Sequence, residues 1–226
     1  MNKLNKPINM KSCLIVVDAQ YDFIPVSEED YKNKLGGALA VPDGDQIVPV
    51  INKLLPKFDL VIFTKDWHLR NNIYFASQHP GKKPFDQMII NGKMETLWPD
   101  HCIQDTQGAV ILEDINFNLI DGEFFIFKKG DLPNWHPYGG FGDEIKKTEL
   151  ENFLKERGVT DVIIVGLALD YCVKDTAIGA VEAGFKTTVI EDGTRAISED
   201  LNELLTVFKE KKIRLIESYE YEYITK

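Results

Sequence analysis

Short runs of apolar, mostly β-branched residues recur along the chain, and polar residues follow each of them. The clearest runs are Leu14–Val17, Leu60–Thr64 and Val162–Val165. An apolar run without alternation is typical of a strand that is covered on both faces, as strands are in a parallel sheet. Apolar residues at helical spacing lie between the runs, as from Ile47 to Phe58, and after them, as from Leu201 to Phe208. This alternation predicts an α/β chain around a parallel sheet.

Three further runs complete the predicted sheet: Phe124–Phe127, Thr187–Ile190 and Ile213–Ile216. We therefore predict a single three-layer α/β/α domain with a six-stranded, mainly parallel sheet over residues 11–226. Residues 1–10 contain few apolar residues, so we expect a flexible N-terminal tail without the apolar core of a signal peptide. Polar, turn-rich stretches over residues 20–43 and 69–108 are predicted to be long loops.

The charge balance limits the partners of this chain. It carries 36 acidic and 26 basic residues, a formal net charge of −10. This charge repels nucleic-acid backbones and anionic membrane surfaces, so we expect neither as a partner. The three cysteines lie far apart in the sequence, which argues against a disulfide framework and favours the cytoplasm. We expect a cytoplasmic enzyme with a small-molecule substrate, and homo-oligomerisation is left open.

Three chemically reactive side chains follow predicted strands: Asp18, Lys129 and Cys172. The carboxyl ends of parallel strands lie at one edge of a sheet, where ligands bind, so these side chains are expected to meet there. A carboxylate can take the thiol proton and an ammonium group lowers the pKa of the sulfur, which makes the set a candidate cysteine hydrolase. Each residue also has a structural interpretation, because a strand-end Asp often caps a turn and a lone Cys is often buried packing.

The turn before Cys172 favours the catalytic interpretation. Asp170 is a suitable N-cap residue, which would place Cys172 in the first turn of a helix. Backbone N–H groups at a helix start have no intrahelical partner, so they favour a thiolate and are suited to hold an oxyanion. The sequence therefore predicts an acyl-transfer site at this turn.

Asp66 and His68 follow the second predicted strand and form a candidate metal-binding pair. In an extended chain both side chains can reach one ion, and His101 from the long loop is the third ligand we favour. His79 and His136 are the competing third ligands, although we first expect His136 to line a pocket or the surface. One carboxylate and two imidazoles suit zinc, iron or manganese and leave positions for water or substrate. An isolated Asp-x-His pair is also common by chance.

Five short segments occur in order along most of the chain: Asp18–Phe23, Asp66–His68, Trp98–Cys102, Lys129–Gly130 and Ala168–Ala177. Together they resemble the motifs of the nicotinamidases in the isochorismatase-like cysteine hydrolase superfamily. The resemblance implies the α/β/α fold of that superfamily. It also implies hydrolysis of nicotinamide to nicotinate and ammonia through a cysteine thioester, in NAD salvage.

The resemblance also assigns roles to individual residues. It implies a catalytic triad of Asp18, Lys129 and Cys172. It implies a cis peptide between Leu167 and Ala168, with the N–H groups of Ala168 and Cys172 forming the oxyanion hole. Asp18 would deprotonate the thiol and Lys129 would stabilise the thiolate.

The resemblance also indicates a cofactor and a substrate-binding site. It implies one divalent metal ion, zinc first with iron and manganese as alternatives, bound by Asp66, His68 and His101. It implies a pyridine ring enclosed by Phe23, Trp98 and Tyr138. Loop aromatics such as these cover the core more often than they bind a ligand.

Two positions depart from the motifs of many family members. Asn72 replaces a histidine that binds metal in some relatives, and a water molecule is the substitute we expect. Leu169 stands where many members have threonine, beside the nucleophile. Another amidohydrolase or isochorismatase-type hydrolase is the near alternative function. A non-catalytic binding protein on this fold is the more distant one.

Overall fold

Eight strands are present in the computed structural model, which describes residues 12–224. In chain order they are β1 Ser12–Val17, β2 Leu60–Asp66, β3 Gln87–Ile90, β4 Lys93–Thr96, β5 Glu123–Lys129, β6 Asp161–Leu167, β7 Lys186–Arg195 and β8 Arg214–Ile216. Six of them form one sheet in the order β5-β2-β1-β6-β7-β8, and every neighbouring pair is parallel. The prediction of a six-stranded, mainly parallel sheet is confirmed. The predicted tail over residues 1–10 lies outside the described residues.

Helices cover both faces of this sheet. They are α1 Glu28–Lys32, α2 Ile47–Leu54, α3 Leu150–Glu156, α4 Lys174–Glu182, α5 Asn202–Glu210 and α6 Ser218–Ile224. Short 3-10 turns lie at Tyr21–Phe23, Gly44–Gln46, Leu55–Lys57, Ala76–Gln78, Gln107–Ala109 and Phe117–Leu119, and one π-helical turn lies at Leu169–Val173. In the described part of the chain, no helix has both the length and the apolar character needed to cross a membrane.

The central strand β1 shows how the three layers form. Its alternate side chains belong to two separate apolar cores, because successive residues of a strand point to opposite faces. Leu14 and Val16 pack on the side of α2, whereas Ile15 and Val17 pack on the side of α3, α4 and α5. All four side chains are fully buried. This explains why the strand is a continuous apolar run in the sequence.

Two segments predicted as loops contain regular structure. The stretch over residues 69–108 includes the antiparallel hairpin of β3 and β4, and the stretch over residues 20–43 includes α1. Asn91 and Gly92 join the hairpin strands with φ angles of 52° and 82°, the backbone that Asn-Gly favours in a two-residue hairpin turn. Only Ile90 among the residues of the two hairpin strands is buried, and β4 is mostly polar, so the hairpin lacks the long apolar runs of the central strands.

Candidate active site

Asp18, Lys129 and Cys172 meet at the carboxyl edge of the sheet. Asp18 directly follows β1, Lys129 ends β5, and Cys172 lies in the π-helical turn after β6. The Lys129 Nζ atom lies 2.9 Å from Asp18 Oδ2 and 3.7 Å from Cys172 Sγ. All three side chains are buried. The arrangement places a cation between a carboxylate and a thiol away from bulk water.

Hydrogen bonds fix two members of this set. The hydroxyl of Thr64 on β2 donates to Asp18 Oδ1 at 2.7 Å and accepts from the Asp18 N–H at 3.2 Å. Lys129 Nζ also donates to the Pro137 carbonyl oxygen at 3.1 Å and contacts the Asp66 carboxylate. A carboxylate and an ammonium group with their remaining partners supplied in this way are pre-organised for proton transfer.

Lys129 lies between two carboxylates whose pKa values shift in opposite directions. Burial raises the pKa of Asp18 above its ordinary value, despite the neighbouring Lys129 ammonium. Burial also acts on Asp66, but Lys129 and His68 outweigh it and hold the pKa of Asp66 well below its usual range. Paired groups with divergent pKa values are a mark of acid–base sites. Asp18 is suited to exchange a proton, and Asp66 is suited to stay ionised.

The thiol of Cys172 differs from the expectation of a favoured thiolate. Burial raises the pKa of Cys172 well above its ordinary value and outweighs the Lys129 ammonium, which lowers it. The carboxylates of Asp18 and Asp66 raise the pKa further. Cys172 is therefore a thiol at rest, and it needs a proton acceptor at the moment of attack.

The prediction that Asp170 is an N-cap residue is wrong. Its carboxylate accepts instead from the backbone N–H groups of Ile197 and Ser198, at 3.0 and 2.9 Å. These bonds tie the turn that carries Cys172 to the segment after β7. The Leu167–Ala168 peptide is cis, and the Ala168 carbonyl oxygen accepts from the Val173 N–H at 3.0 Å. Ala168 and Cys172 line one cavity together.

Imidazole nitrogens of His68 and His101 face the second oxygen of Asp66. The Asp66 Oδ2 atom lies 3.5 Å from His68 Nε2 and 3.8 Å from His101 Nε2. Ligands of one tetrahedral zinc ion are about 3.3 Å apart, given metal–ligand distances of about 2.0–2.1 Å. The Nδ1–H groups donate to the carbonyl oxygens of Gly130 and Pro99, so each Nε2 lone pair points into the cluster.

Several buried groups hold these ligands in place. Gln20 donates to the Asp66 carbonyl oxygen at 2.9 Å and accepts from the Asp66 N–H at 2.8 Å. Asp22 accepts from the Cys102 N–H at 2.7 Å, which fixes the residue after His101. Gln20 and Asp22 belong to the motif Asp18–Phe23, but neither residue could be given a role from the sequence.

Gly130 is required by the close approach of His68. A Cβ atom on this residue would lie 2.3 Å from His68 Cε1, and its φ of +77° is unfavourable for other residues. The glycine therefore lets the edge of the His68 ring approach the backbone just after β5, where Nδ1–H can donate to the Gly130 carbonyl oxygen.

His136 joins this cluster and also lines a cavity, in agreement with the expected pocket position. One ring nitrogen from each of His68, His101 and His136 lies within 4.8 Å of the others. His79, the other competing ligand, points elsewhere and bonds to the Ile73 carbonyl oxygen at 2.7 Å. His136 carries no motif spacing that would have identified it.

The chemistry of this donor set fits a divalent metal ion. His68 Nε2 is buried and has no hydrogen-bond partner, as expected of a lone pair reserved for an ion. Burial, and then the neighbouring His68 ring, lowers the pKa of His101 to about 4, so this imidazole is neutral near pH 7. Neutral imidazoles and an ionised carboxylate are the forms that bind zinc and similar ions.

One cavity connects several of these groups. Its wall includes Cys172, Ala168, Asp66, His101 and His136. Four aromatic side chains line it as well: Phe23, Trp98, Tyr138 and Tyr171. The Trp98 Nε1–H donates to the Tyr138 hydroxyl oxygen at 3.1 Å, which holds both rings at the wall. The cavity suits a small flat ring with a polar substituent.

Comparison with known proteins gives consistent matches over most of the chain. A family model described as the Isochorismatase domain matches residues 12–207. The nicotinamidase of Acinetobacter baylyi is 42% identical over 191 residues, which are 84% of this chain and 82% of that protein.

Solved structures are similar as well. A nicotinamidase and pyrazinamidase of Acinetobacter baumanii has a TM-score of 0.84 and 38% identity, over 96% of this chain and 100% of its own. The pyrazinamidase of Pyrococcus horikoshii in complex with zinc has a TM-score of 0.70 and 32% identity, over 92% of this chain and 99% of its own.

Proposed function

The chain belongs to the isochorismatase domain family, and we propose that it is a nicotinamidase that hydrolyses nicotinamide to nicotinate and ammonia with Cys172 as nucleophile. The observation that carries this proposal is the cavity that Cys172 and Ala168 line together with Asp66, His101 and His136. A pyridine ring and its carboxamide fit between such groups. The reaction belongs to NAD salvage, and we propose that it takes place in the cytoplasm without nucleic-acid or membrane partners.

The first half of the reaction forms a thioester. The Cys172 thiol gives its proton to Asp18, and the sulfur attacks the carboxamide carbon. The raised pKa of Asp18 supports this role, because a more basic carboxylate accepts the proton more readily. The C–N bond then breaks, Asp18 returns the proton to the nitrogen, and ammonia leaves.

The second half of the reaction is hydrolysis. Water gives a proton to Asp18 and attacks the thioester carbon, and the C–S bond breaks to release nicotinate. The departing thiolate takes the proton back from Asp18, which restores the resting thiol. Lys129, 3.7 Å from the sulfur, stabilises the thiolate in both halves.

Negative charge develops on the carboxamide oxygen during each attack. We propose that the N–H groups of Ala168 and Cys172 hold this oxygen, since both residues border the cavity beside the nucleophile. Loss of one such donor typically slows an enzyme by about 10²–10³-fold.

The proposed metal ligands are Asp66, His68 and His101, with zinc as the first candidate and iron or manganese as alternatives. A bound divalent ion supplies positive charge for the pyridine nitrogen of the substrate and lowers the pKa of bound water. The ring itself is proposed to lie among Phe23, Trp98 and Tyr138, which line the same cavity.

A small panel of amides tests the proposal. The purified, metal-loaded protein is assayed for ammonia release from nicotinamide, pyrazinamide and benzamide, and nicotinate is identified as the product. Benzamide lacks the ring nitrogen, so we expect it to be hydrolysed at least tenfold more slowly than nicotinamide. Preference for an unrelated amide would favour another hydrolase of the superfamily. Ligand binding without any ammonia release would favour a non-catalytic protein.

A further inference from the structure

Neither ring nitrogen of His136 has a hydrogen-bond partner, although the side chain is buried. Among residues 12–221, the buried side-chain atoms without a hydrogen-bond partner are these two nitrogens, His68 Nε2 and Asp18 Oδ2. Asp18 Oδ2 lies 2.9 Å from the Lys129 ammonium, which accounts for that atom. The remaining atoms therefore lie in one place, the imidazole cluster formed by His68, His101 and His136. A buried polar nitrogen without a partner destabilises the folded state, so a bound ligand is the simplest explanation for these atoms.

Asn72 holds the segment that carries His136. The Asn72 amide group donates to the carbonyl oxygens of Leu132 and Trp135, at 3.2 and 3.1 Å. The side-chain oxygen Oδ1 of Asn72 accepts from the Tyr74 N–H at 2.9 Å, and the Asn72 side chain is completely buried. Because Trp135 directly precedes His136, these bonds fix the backbone from which the imidazole projects.

We propose that His136 is a further protein ligand of the ion bound by Asp66, His68 and His101, and that Asn72 is its positioning residue. The inference rests on the metal site of the proposed function. The ligand that some relatives have at position 72 is thus replaced by an imidazole from another loop, and Asn72 orients that loop. On this proposal His136, and not a water molecule, takes the place of the missing histidine.

The His136 ring must turn to bind the same ion as His68. The two rings are stacked, with centroids 4.3 Å apart and planes at 10°. An ion in the plane of one ring cannot lie in the plane of the other. Rotation about the terminal torsion of His136 resolves this, because that torsion is broad and no hydrogen bond holds the ring.

A third imidazole changes what the ion can bind. A fourth protein ligand would leave fewer positions on the ion for substrate and water than three protein ligands leave. Loss of His136 frees a position and weakens metal binding. His136 also lines the substrate cavity, so the metal site and the ring pocket share this side chain.

The first test measures metal affinity without any assay of activity. Zinc affinity is determined by competition with a chromophoric chelator for the parent, for His136→Gln and for the matched control His79→Gln. We expect His136→Gln to weaken zinc affinity more than changes to the partners of metal ligands do, which typically weaken it about 10–100-fold. We expect His79→Gln to leave affinity unchanged, because the His79 ring lies outside the cluster.

Cobalt substitution reports on the ligands directly. The visible spectrum of the cobalt-loaded protein is expected to change in His136→Gln and to be unchanged in His79→Gln. Equal zinc affinity and an unchanged cobalt spectrum in a folded His136→Gln protein would overturn the proposal. Should His136→Gln fail to fold, His136→Asn keeps a polar group in a smaller side chain and is tested in the same way.

A double-mutant cycle tests the role of Asn72. We expect Asn72→Ala to weaken zinc binding about 10–100-fold in the parent, yet to have little further effect when His136 is already Gln. An equal loss in both backgrounds would show that Asn72 acts on the fold and not through His136. These experiments measure metal binding and not ammonia release. Failure of this proposal can therefore be distinguished from failure of the proposed nicotinamide hydrolysis.

Discussion

Asp66 and Lys129 are register partners on the neighbouring parallel strands β2 and β5, and the Lys129 ammonium contacts the Asp66 carboxylate. One Asp66 oxygen thus faces the proposed catalytic cation, while the other faces the imidazoles of His68 and His101. The same carboxylate connects the nucleophile's environment with the metal cluster. A change on either side is therefore expected to affect the other.

Replacement of Lys129 by Met should destabilise the protein strongly and abolish hydrolysis. It leaves the carboxylates of Asp18 and Asp66 buried without their cation, which typically costs about 3–5 kcal/mol. Urea unfolding measures the loss. In the control Lys211→Met, the pair with Glu182 has the same 2.9 Å separation as Lys129 with Asp18 but is solvent-exposed, so at most about 1 kcal/mol is expected. Equal losses would contradict the importance assigned to Lys129.

The stability of the metal-free protein should depend on pH between about 4 and 6.5. His101 has a pKa of about 4 in the folded protein, against an ordinary 6.5, because burial disfavours its charged form. The unfolded chain thus binds a proton at a higher pH than the folded protein does. The contribution of His101 to the free energy of unfolding is complete above pH 6.5. It is lost as the pH falls towards 4, and the loss is about 3 kcal/mol at most.

Urea unfolding of chelator-treated protein across this pH range tests that prediction. His101→Gln should reduce the slope of unfolding free energy against pH, whereas His79→Gln should retain it. The same slope in all three proteins would exclude His101 as a source of the pH dependence.

Removal of the metal should abolish nicotinamide hydrolysis and lower the melting temperature. A ligand that binds only the folded state stabilises it by about 2.7 kcal/mol at 100 times its dissociation constant. Zinc added back should restore both properties, and elemental analysis verifies each state. Full activity in protein shown to be free of metal would contradict the assignment of Asp66, His68 and His101.

Trp98→Leu should raise the KM for nicotinamide about 10–100-fold. The substitution removes a ring from the cavity wall and the partner of the Tyr138 hydroxyl group. Loss of about 1.5–3 kcal/mol of apolar contact corresponds to this change. Trp67→Leu is the matched control, because the Trp67 ring lies between the ammonium groups of Lys65 and Lys128, each 4.1 Å away. A similar KM for both variants would place the substrate elsewhere.

Sequence patterns predict those parts of the fold that depend on local burial. Continuous apolar runs predicted the six strands of the sheet. In the central strands such a run reflects cover on both faces, which requires apolar residues at every position. The exposed hairpin of β3 and β4 escaped detection for the opposite reason, although Asn91-Gly92 was a usable turn signal. Residues at strand ends could be brought together because parallel strands share one carboxyl edge.

Side chains whose role depends on distant contacts could not be assigned from the sequence. Asp170 has the right type and position for an N-cap, but the amides of Ile197 and Ser198 bind its carboxylate. His136 reaches the imidazole cluster through a loop that Asn72 fixes, and no spacing in the sequence links positions 72 and 136. Such contacts depend on the tertiary fold and not on a local pattern.

Ammonia release from nicotinamide by the metal-loaded parent and by Cys172→Ala tests the role of the nucleophile directly. We expect equal amounts of ammonia and nicotinate from the parent, and a rate at least about 10⁴-fold lower for the variant, as is typical when a nucleophile is removed. Zinc content and melting temperature, measured on both proteins, establish that the variant is folded and loaded. Release of ammonia by Cys172→Ala at the parental rate would contradict the assignment of Cys172 as the nucleophile.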